Sequence, residues 1–202
     1  MKDIVFLGGG GHSVAVFDVL LRDFSSLKVL GVVDPNPNCQ LCQLGIEWLG
    51  PEEVSLLKRV QQDVSLVSGI GHLGSADKRH QLFIELTKTY EFMTVISSRA
   101  TVSPTASIGR GATIFPNAVV GANVHVGDNS IINTSAIIEH GSFIGNNVHI
   151  STAAVVNGDC RIKDGAFVGS GAIILQGAEI HQNGFVTALS LIKKGDEGAA
   201  QR

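Results

Sequence analysis

The chain has 202 residues, enough for one large domain or two small ones. Charged residues are sparse at 16% and glycines number 24, a composition that suits a compact, strand-rich, glycine-punctuated fold better than a helical bundle or a disordered chain. The formal net charge is −3 with no run of Lys or Arg, which argues against nucleic acid and anionic membrane as partners.

Met1 to Leu7 holds too short an apolar run for a signal peptide. No apolar stretch approaches the ~20 residues of a membrane span, so a cytoplasmic protein is expected. Asp3–Leu7 reads as a strand. Gly8 to Gly11 then leads into a helical pattern through Val14, Phe17, Val19, Leu20 and Leu21. Leu27–Val33 is a second strand ending at Asp34-Pro35. Pro51 opens a helix, Val64–Ser68 is a third strand, Ser75–Tyr90 a helix and Phe92–Ile96 a fourth strand. The alternation predicts a parallel sheet with helices packed on it, a Rossmann-like α/β domain over residues 1–97.

The glycine run after the first strand sits where doubly wound folds cradle phosphate, and Asp34 sits where a carboxylate commonly meets a ribose hydroxyl. The strict G-x-G-x-x-G fingerprint fails, because Ser13 stands where the third glycine belongs. Three readings stay open: a nucleotide or nucleotide sugar, NAD(P), and a purely structural turn. Cys39 and Cys42 are spaced like half a zinc site or a redox motif, but no second CxxC and no nearby His pair accompanies them, so free loop thiols are expected over a metal or redox role.

From Val102 the pattern changes. Every sixth residue is Val or Ile, from Val102 and Ile108 through Ile138, Ile144 and Ile150 to Ile180 and Val186, without an insertion. Four residues after each, from Ala106 to Gly184, comes Ala, Val, Ser, Cys or Gly. A period of six is no helix period; it marks a solenoid. One β-branched and one small residue per hexad fill a narrow core, and Gly, Asn and Asp turn the corners. Three hexads make an 18-residue triangular coil, and residues 102–186 stack into a prism roughly 20–25 Å tall at the strand spacing. Cys160 falls on the small inward position and is expected to be buried.

This segment resembles the hexapeptide-repeat acyltransferases, a resemblance that implies a left-handed parallel β-helix over residues 98–202. The order of the two halves, with Gly9-Gly10-Gly11-His12, the Ile131–His140 segment and Asn147-Val148-His149-Ile150-Ser151, is similar to the bacterial sialic acid O-acetyltransferase and UDP-bacillosamine N-acetyltransferase family. The resemblance implies acetyl-CoA-dependent acetyl transfer to an amino or hydroxyl group of a sugar, by direct attack and without a metal. It makes His140 the general base and gives His149 a part in holding the acetyl group. It further implies that Ser170 and Ala188 touch acetyl-CoA, and that Gly10, Gly11, His12, Asp34, Pro35 and Gly71 line the sugar-nucleotide pocket, with Asn133 as a further substrate contact. Two departures stand out: the acidic residue expected after the catalytic histidine is Gly141, and the chain after Ile192 is short and polar.

His140, two residues past inward Ile138, is expected at a corner, where imidazole is a natural base near neutral pH. Glu139 precedes it, with two readings open: a carboxylate that orients the imidazole, and a solvated surface carboxylate. His149, five residues past Ile144, is expected to face outward on a strand, as is His125 at the equivalent position. His140 and His149 are nine residues apart, half a coil, so they belong to different faces of one prism. Outward apolar residues (Ile131, Ile137, Phe143, Phe167) predict a homotrimer of parallel prisms. Competing readings are a zinc enzyme, which needs three converging ligands, and a non-catalytic sugar-binding or assembly protein on the same scaffold.

Overall fold

In a computed structural model, residues 3–24, 26–51, 64–72 and 77–196 are described, and the chain divides into two compact units. The first comprises residues 1–71 and 77–95; the second comprises 72–76 and 96–202.

In the first unit, β1 (Asp3–Leu7), α1 (Gly11–Asp23), β2 (Val29–Val33), α2 (Gln40–Gln43), β3 (Trp48–Gly50), β4 (Val64–Ser68), α3 (Asp77–Leu86) and β5 (Glu91–Phe92) follow in chain order. The strands form one parallel sheet in the order β3-β2-β1-β4-β5. The central strand β1 is an apolar run, and Ile4, Val5, Phe6 and Leu7 are all buried, as expected of a parallel strand covered on both faces. Several sequence expectations need adjustment. Helix α3 ends at Leu86, short of the Tyr90 that the sequence suggested. The expected strand Phe92–Ile96 is two strands, β5 in this sheet and β6 (Val95–Ile96) in the solenoid. Met93 and a single β-branched Thr94 fill the break, too weak a signal to divide the strand in the sequence. Strand β3 and helix α2 were not foreseen, being too short to show a period. The helix expected after Pro51 lies outside the described residues.

The second unit is a parallel β-solenoid. Two-residue strands recur every six residues from β6 to β22 (Leu191–Ile192), one hexad beyond the sequence pattern at each end. They stack into three sheets of six, six and five strands. Each strand pairs with the one eighteen residues on, Val119 with Ile137 and Ile137 with Val155, for example. The core is the predicted set. Ile114, Ile132, Ile138, Ile144, Ile150, Val156 and Ile162 are fully buried between Ala112, Ala118, Ala136, Ala154 and Cys160. A residue with φ between 54° and 70° occurs at every hexad from Gly111 to Leu189, among them Asn117, Gly141, Ala153 and Asp159. Each is the left-handed position of a corner, preceded by a residue such as Pro116, the pattern of a type II turn. The corners are tied together along the stack: Arg110, Asp128 and Asn146 each donate a backbone N–H to a side-chain oxygen eighteen residues on, at 2.8–2.9 Å.

Candidate functional site

In the first unit, Gly9 donates its N–H to Asp34 Oδ2 at 2.7 Å, and Asn36 donates to Oδ1 at 2.8 Å. The Asp34 carboxylate thus braces the glycine loop and its own turn, and a ribose is not needed to explain it. Ser13, at the start of α1 and fully buried, directs its hydroxyl at the carbonyls of Gly8 (2.5 Å) and Gly69 (2.9 Å). That is the physical role of the residue replacing the third glycine: it bridges the ends of β1 and β4. Gly10 and Gly11 are exposed at the N-terminal end of α1, with open space around Gly10, and Pro35 is exposed beside Asp34. His12 is half-buried against Gly71. Arg79 is buried and donates to the Ile70 carbonyl at 2.5 Å; burial draws its pKa down to about 9. Gly10, Gly11, His12 and Gly71 therefore cluster at the carboxyl ends of β1 and β4, where doubly wound sheets hold ligands.

Cys39 begins α2 and is buried; its sulfur is 3.0 Å from that of half-buried Cys42. The two thiols sit on a short helix rather than in a bare loop. Burial, then the hydrogen bond with Cys39, pushes the Cys42 thiol up to about 11. Among the described residues, no group of three or more His, Cys, Asp or Glu could hold a metal ion.

In the solenoid, Glu139 and His140 are exposed at a corner. The backbone of His140 is pinned there: its carbonyl accepts the Asp159 N–H at 2.9 Å, and the next residue, Gly141, donates its N–H to Ala122 O at 2.9 Å. The side chain, not the backbone, remains available for chemistry.

His149 differs from expectation. It points out from the coil, but it is only 6% exposed. His72, which belongs to the same unit, stacks on Phe167 (ring centroids 5.4 Å apart, planes at 15°) and meets His149 edge-on at 6.1 Å. His149 Nδ1 lies 3.1 Å from the His72 carbonyl, which can only accept, so Nδ1 carries the proton. Nε2 lies 3.1 Å from Asn133 Nδ2. Asn133 Oδ1 accepts the Thr134 N–H at 2.8 Å, which orients the amide with its NH2 group toward the imidazole. Sequence reading gave His72 no role, because nothing in its surroundings shows that it returns to a strand 77 residues away.

Asn133, Ser151, Ser170 and Ala188 belong to one column of corners. The Ser151 and Ser170 hydroxyls are 2.9 Å apart, and Ala188 lies on Gly169. Glu139 and His140 belong to the next column, across the face carrying Val119, Ile137, Val155, Ile173 and Leu191. The structure thus joins Asn133 to His149 and places His140 on a different edge.

No family model matches the chain, and no curated protein matches it in sequence. Solved structures do. PerB from Caulobacter crescentus, determined in complex with CoA and GDP-perosamine, is 26% identical, with a TM-score of 0.84 over 96% of this chain and 92% of that one. The acetyltransferase domain of PglB from Neisseria gonorrhoeae is 24% identical, with a TM-score of 0.82 over 95% and 91%. WeeI from Acinetobacter baumannii is 18% identical, with a TM-score of 0.70 over 96% and 95%. The last two likenesses speak for the fold. By fold, this chain is similar along nearly its whole length to PerB, to the acetyltransferase domain of PglB and to WeeI.

Proposed function

We propose that the chain is an acetyl-CoA-dependent sugar acetyltransferase acting on an amino group of a nucleotide-linked sugar. The observation that carries this reading is the match of both halves to PerB, a protein solved with CoA and a nucleotide sugar. The exposed imidazole at a pinned corner supports it. The first unit is read as Rossmann-like, supported by its parallel β3-β2-β1-β4-β5 order, and the solenoid as left-handed, supported by the hexapeptide repeat.

In this reading Gly10, Gly11, His12, Asp34, Pro35 and Gly71 hold the nucleotide sugar. Ser170 and Ala188 lie along the acetyl-CoA path. His140 accepts a proton from the acceptor nitrogen as that nitrogen attacks the thioester carbonyl carbon. A C–N bond forms, the C–S bond breaks, and the proton passes from His140 to the departing CoA thiolate. Negative charge on the carbonyl oxygen needs a donor. A neutral His149 has its one N–H committed to His72 and its Nε2 to Asn133. Its contribution is therefore to orient Asn133, whose second amide hydrogen is left to meet the acetyl oxygen. Glu139 is the carboxylate nearest in sequence to assist His140.

The active assembly is read as a homotrimer. Ile131 is fully buried and Phe167 half-buried within one chain, which corrects the apolar patch drawn from sequence. Instead the face running from Val119 through Ile137, Val155 and Ile173 to Leu191, with Thr101 at its first strand, is apolar over those five positions, with Ile173 39% and Leu191 60% exposed. The edges carrying His140 and Asn133 flank that face, so packing prisms on it brings unlike edges of neighbouring chains together. No helix among the described residues is long and apolar enough to cross a membrane.

The test is release of CoA thiol from acetyl-CoA with GDP-perosamine and a panel of UDP-linked amino sugars. Turnover that requires an amino sugar supports the reading. Binding of the sugars without thiol release would favour a non-catalytic sugar-binding protein.

A further inference from the structure

Gly158 occupies the corner position one coil after His140, eighteen residues on. At this register the hexads from Arg110 to Ala188 carry Arg, Pro, Ala, Asp, Thr, His, Asn, Thr, Gly, Asp, Ser, Gln, Gln and Ala; Gly158 alone is glycine. The backbone does not ask for it. The left-handed residue of this corner is the next one, Asp159 (φ 59°), and Gly158 is not among the positive-φ residues. The preceding position of a type II turn accepts any side chain, proline included.

What explains the missing side chain is the imidazole beneath it. A Cβ on residue 158 would lie 2.6 Å from His140 Cε1, 2.8 Å from Nε2 and 3.2 Å from Nδ1. The three nearest atoms all belong to one ring, whose Cε1–Nε2 end occupies the space beside Gly158. Ordinary carbon contacts are ~3.5–4.0 Å, so even a methyl group would push the ring aside by about 1 Å.

We infer that Gly158 is a positioning residue for His140: by lacking a side chain it gives the imidazole a shelf and so sets the direction in which its nitrogens point. This rests on the reading of His140 as general base. An exposed histidine without such a shelf would spread over several rotamers, and a base must sit within hydrogen-bond reach of the proton it takes. The shelf restricts the ring at no cost in backbone strain.

The experiment compares Gly158→Ala, His140→Ala and the double variant in the full chain, with acetyl-CoA and the amino sugar turned over best. Gly158→Ala is expected to lower kcat by ~10- to 100-fold, the scale of a 1 Å misplacement, while both KM values and Tm stay within error. Added to His140→Ala it should do nothing further, because its effect runs through that ring. An unchanged kcat in Gly158→Ala beside a disabled His140→Ala overturns the inference, and so does an additive loss in the double variant. Wild-type kcat in His140→Ala overturns the base assignment instead. The shelf is then judged by the NMR resonance of the His140 Cε1–H, which moves in Gly158→Ala if the ring lies there and stays in place if it does not.

Discussion

Asp159 lies one coil beyond Gly141, with its Oδ1 filling the space in which a side chain on residue 141 would begin. Gly141 also has φ +67°, a conformation that costs other residues roughly 1–2 kcal/mol. The position that carries an acid in the resembling family is here taken up by a left-handed glycine and its neighbour's carboxylate.

Placing an acid at residue 141 should therefore fail on two counts, strain and repulsion from Asp159. Gly141→Glu is expected to lower Tm by several degrees without raising kcat. Thermal unfolding and steady-state rates check this; an accelerated variant of unchanged Tm would show that the corner accommodates the side chain.

If Glu139 has assumed the assisting role, Glu139→Gln should lower kcat by ~10-fold or more, within the usual span of acid–base assistance, and leave both KM values alone. Rates equal to the parent would mean that His140 works without a neighbouring carboxylate.

His140 and Asn133–His149 lie on different edges of one prism, so the proposed site would draw on two chains. Mixing His140→Ala with His149→Ala chains by co-refolding should restore activity in the hybrids, although each alone is poor. No recovery would place both functions in a single chain. Ile173→Asp, on the apolar face, should yield monomers in sedimentation and abolish turnover; a trimeric variant would move the interface elsewhere.

Asp34 accepts N–H groups from Gly9 and Asn36, so removing it frees the loop. Asp34→Ala is expected to raise the Kd of the nucleotide sugar by at least ~10-fold, the loss of about one charge-assisted hydrogen bond, with CoA affinity unchanged. Calorimetric titration of each ligand separates the two. A fall in CoA affinity would overturn the division of labour between the units.

The Cys42 thiol, raised to about 11 by burial and by Cys39, carries roughly a hundredfold less thiolate at pH 7.5 than a thiol at the ordinary value of 9.0. Iodoacetamide should alkylate it in the native chain at least ~10-fold more slowly than in guanidinium. Equal rates would show an open thiol.

The period of six, read along the chain, already contained the coil length, the inward set from Ile108 to Ile180 and the burial of Cys160. Adding eighteen to 140 reaches the only glycine of that register, so the position of Gly158 beside His140 is legible in the sequence as arithmetic. Periodicity works here because each coil contacts only its neighbours, which makes spatial adjacency a fixed sequence offset. It is silent where contacts have no offset. That His149 is buried, with its tautomer set by the His72 carbonyl and its other nitrogen by Asn133, depends on a segment 77 residues earlier returning to the solenoid. In the same way Asp34 meets Gly9 across 25 residues because β1 and β2 are neighbours in the sheet. Side-chain direction and long-range return are products of packing, and only the tertiary structure decided them.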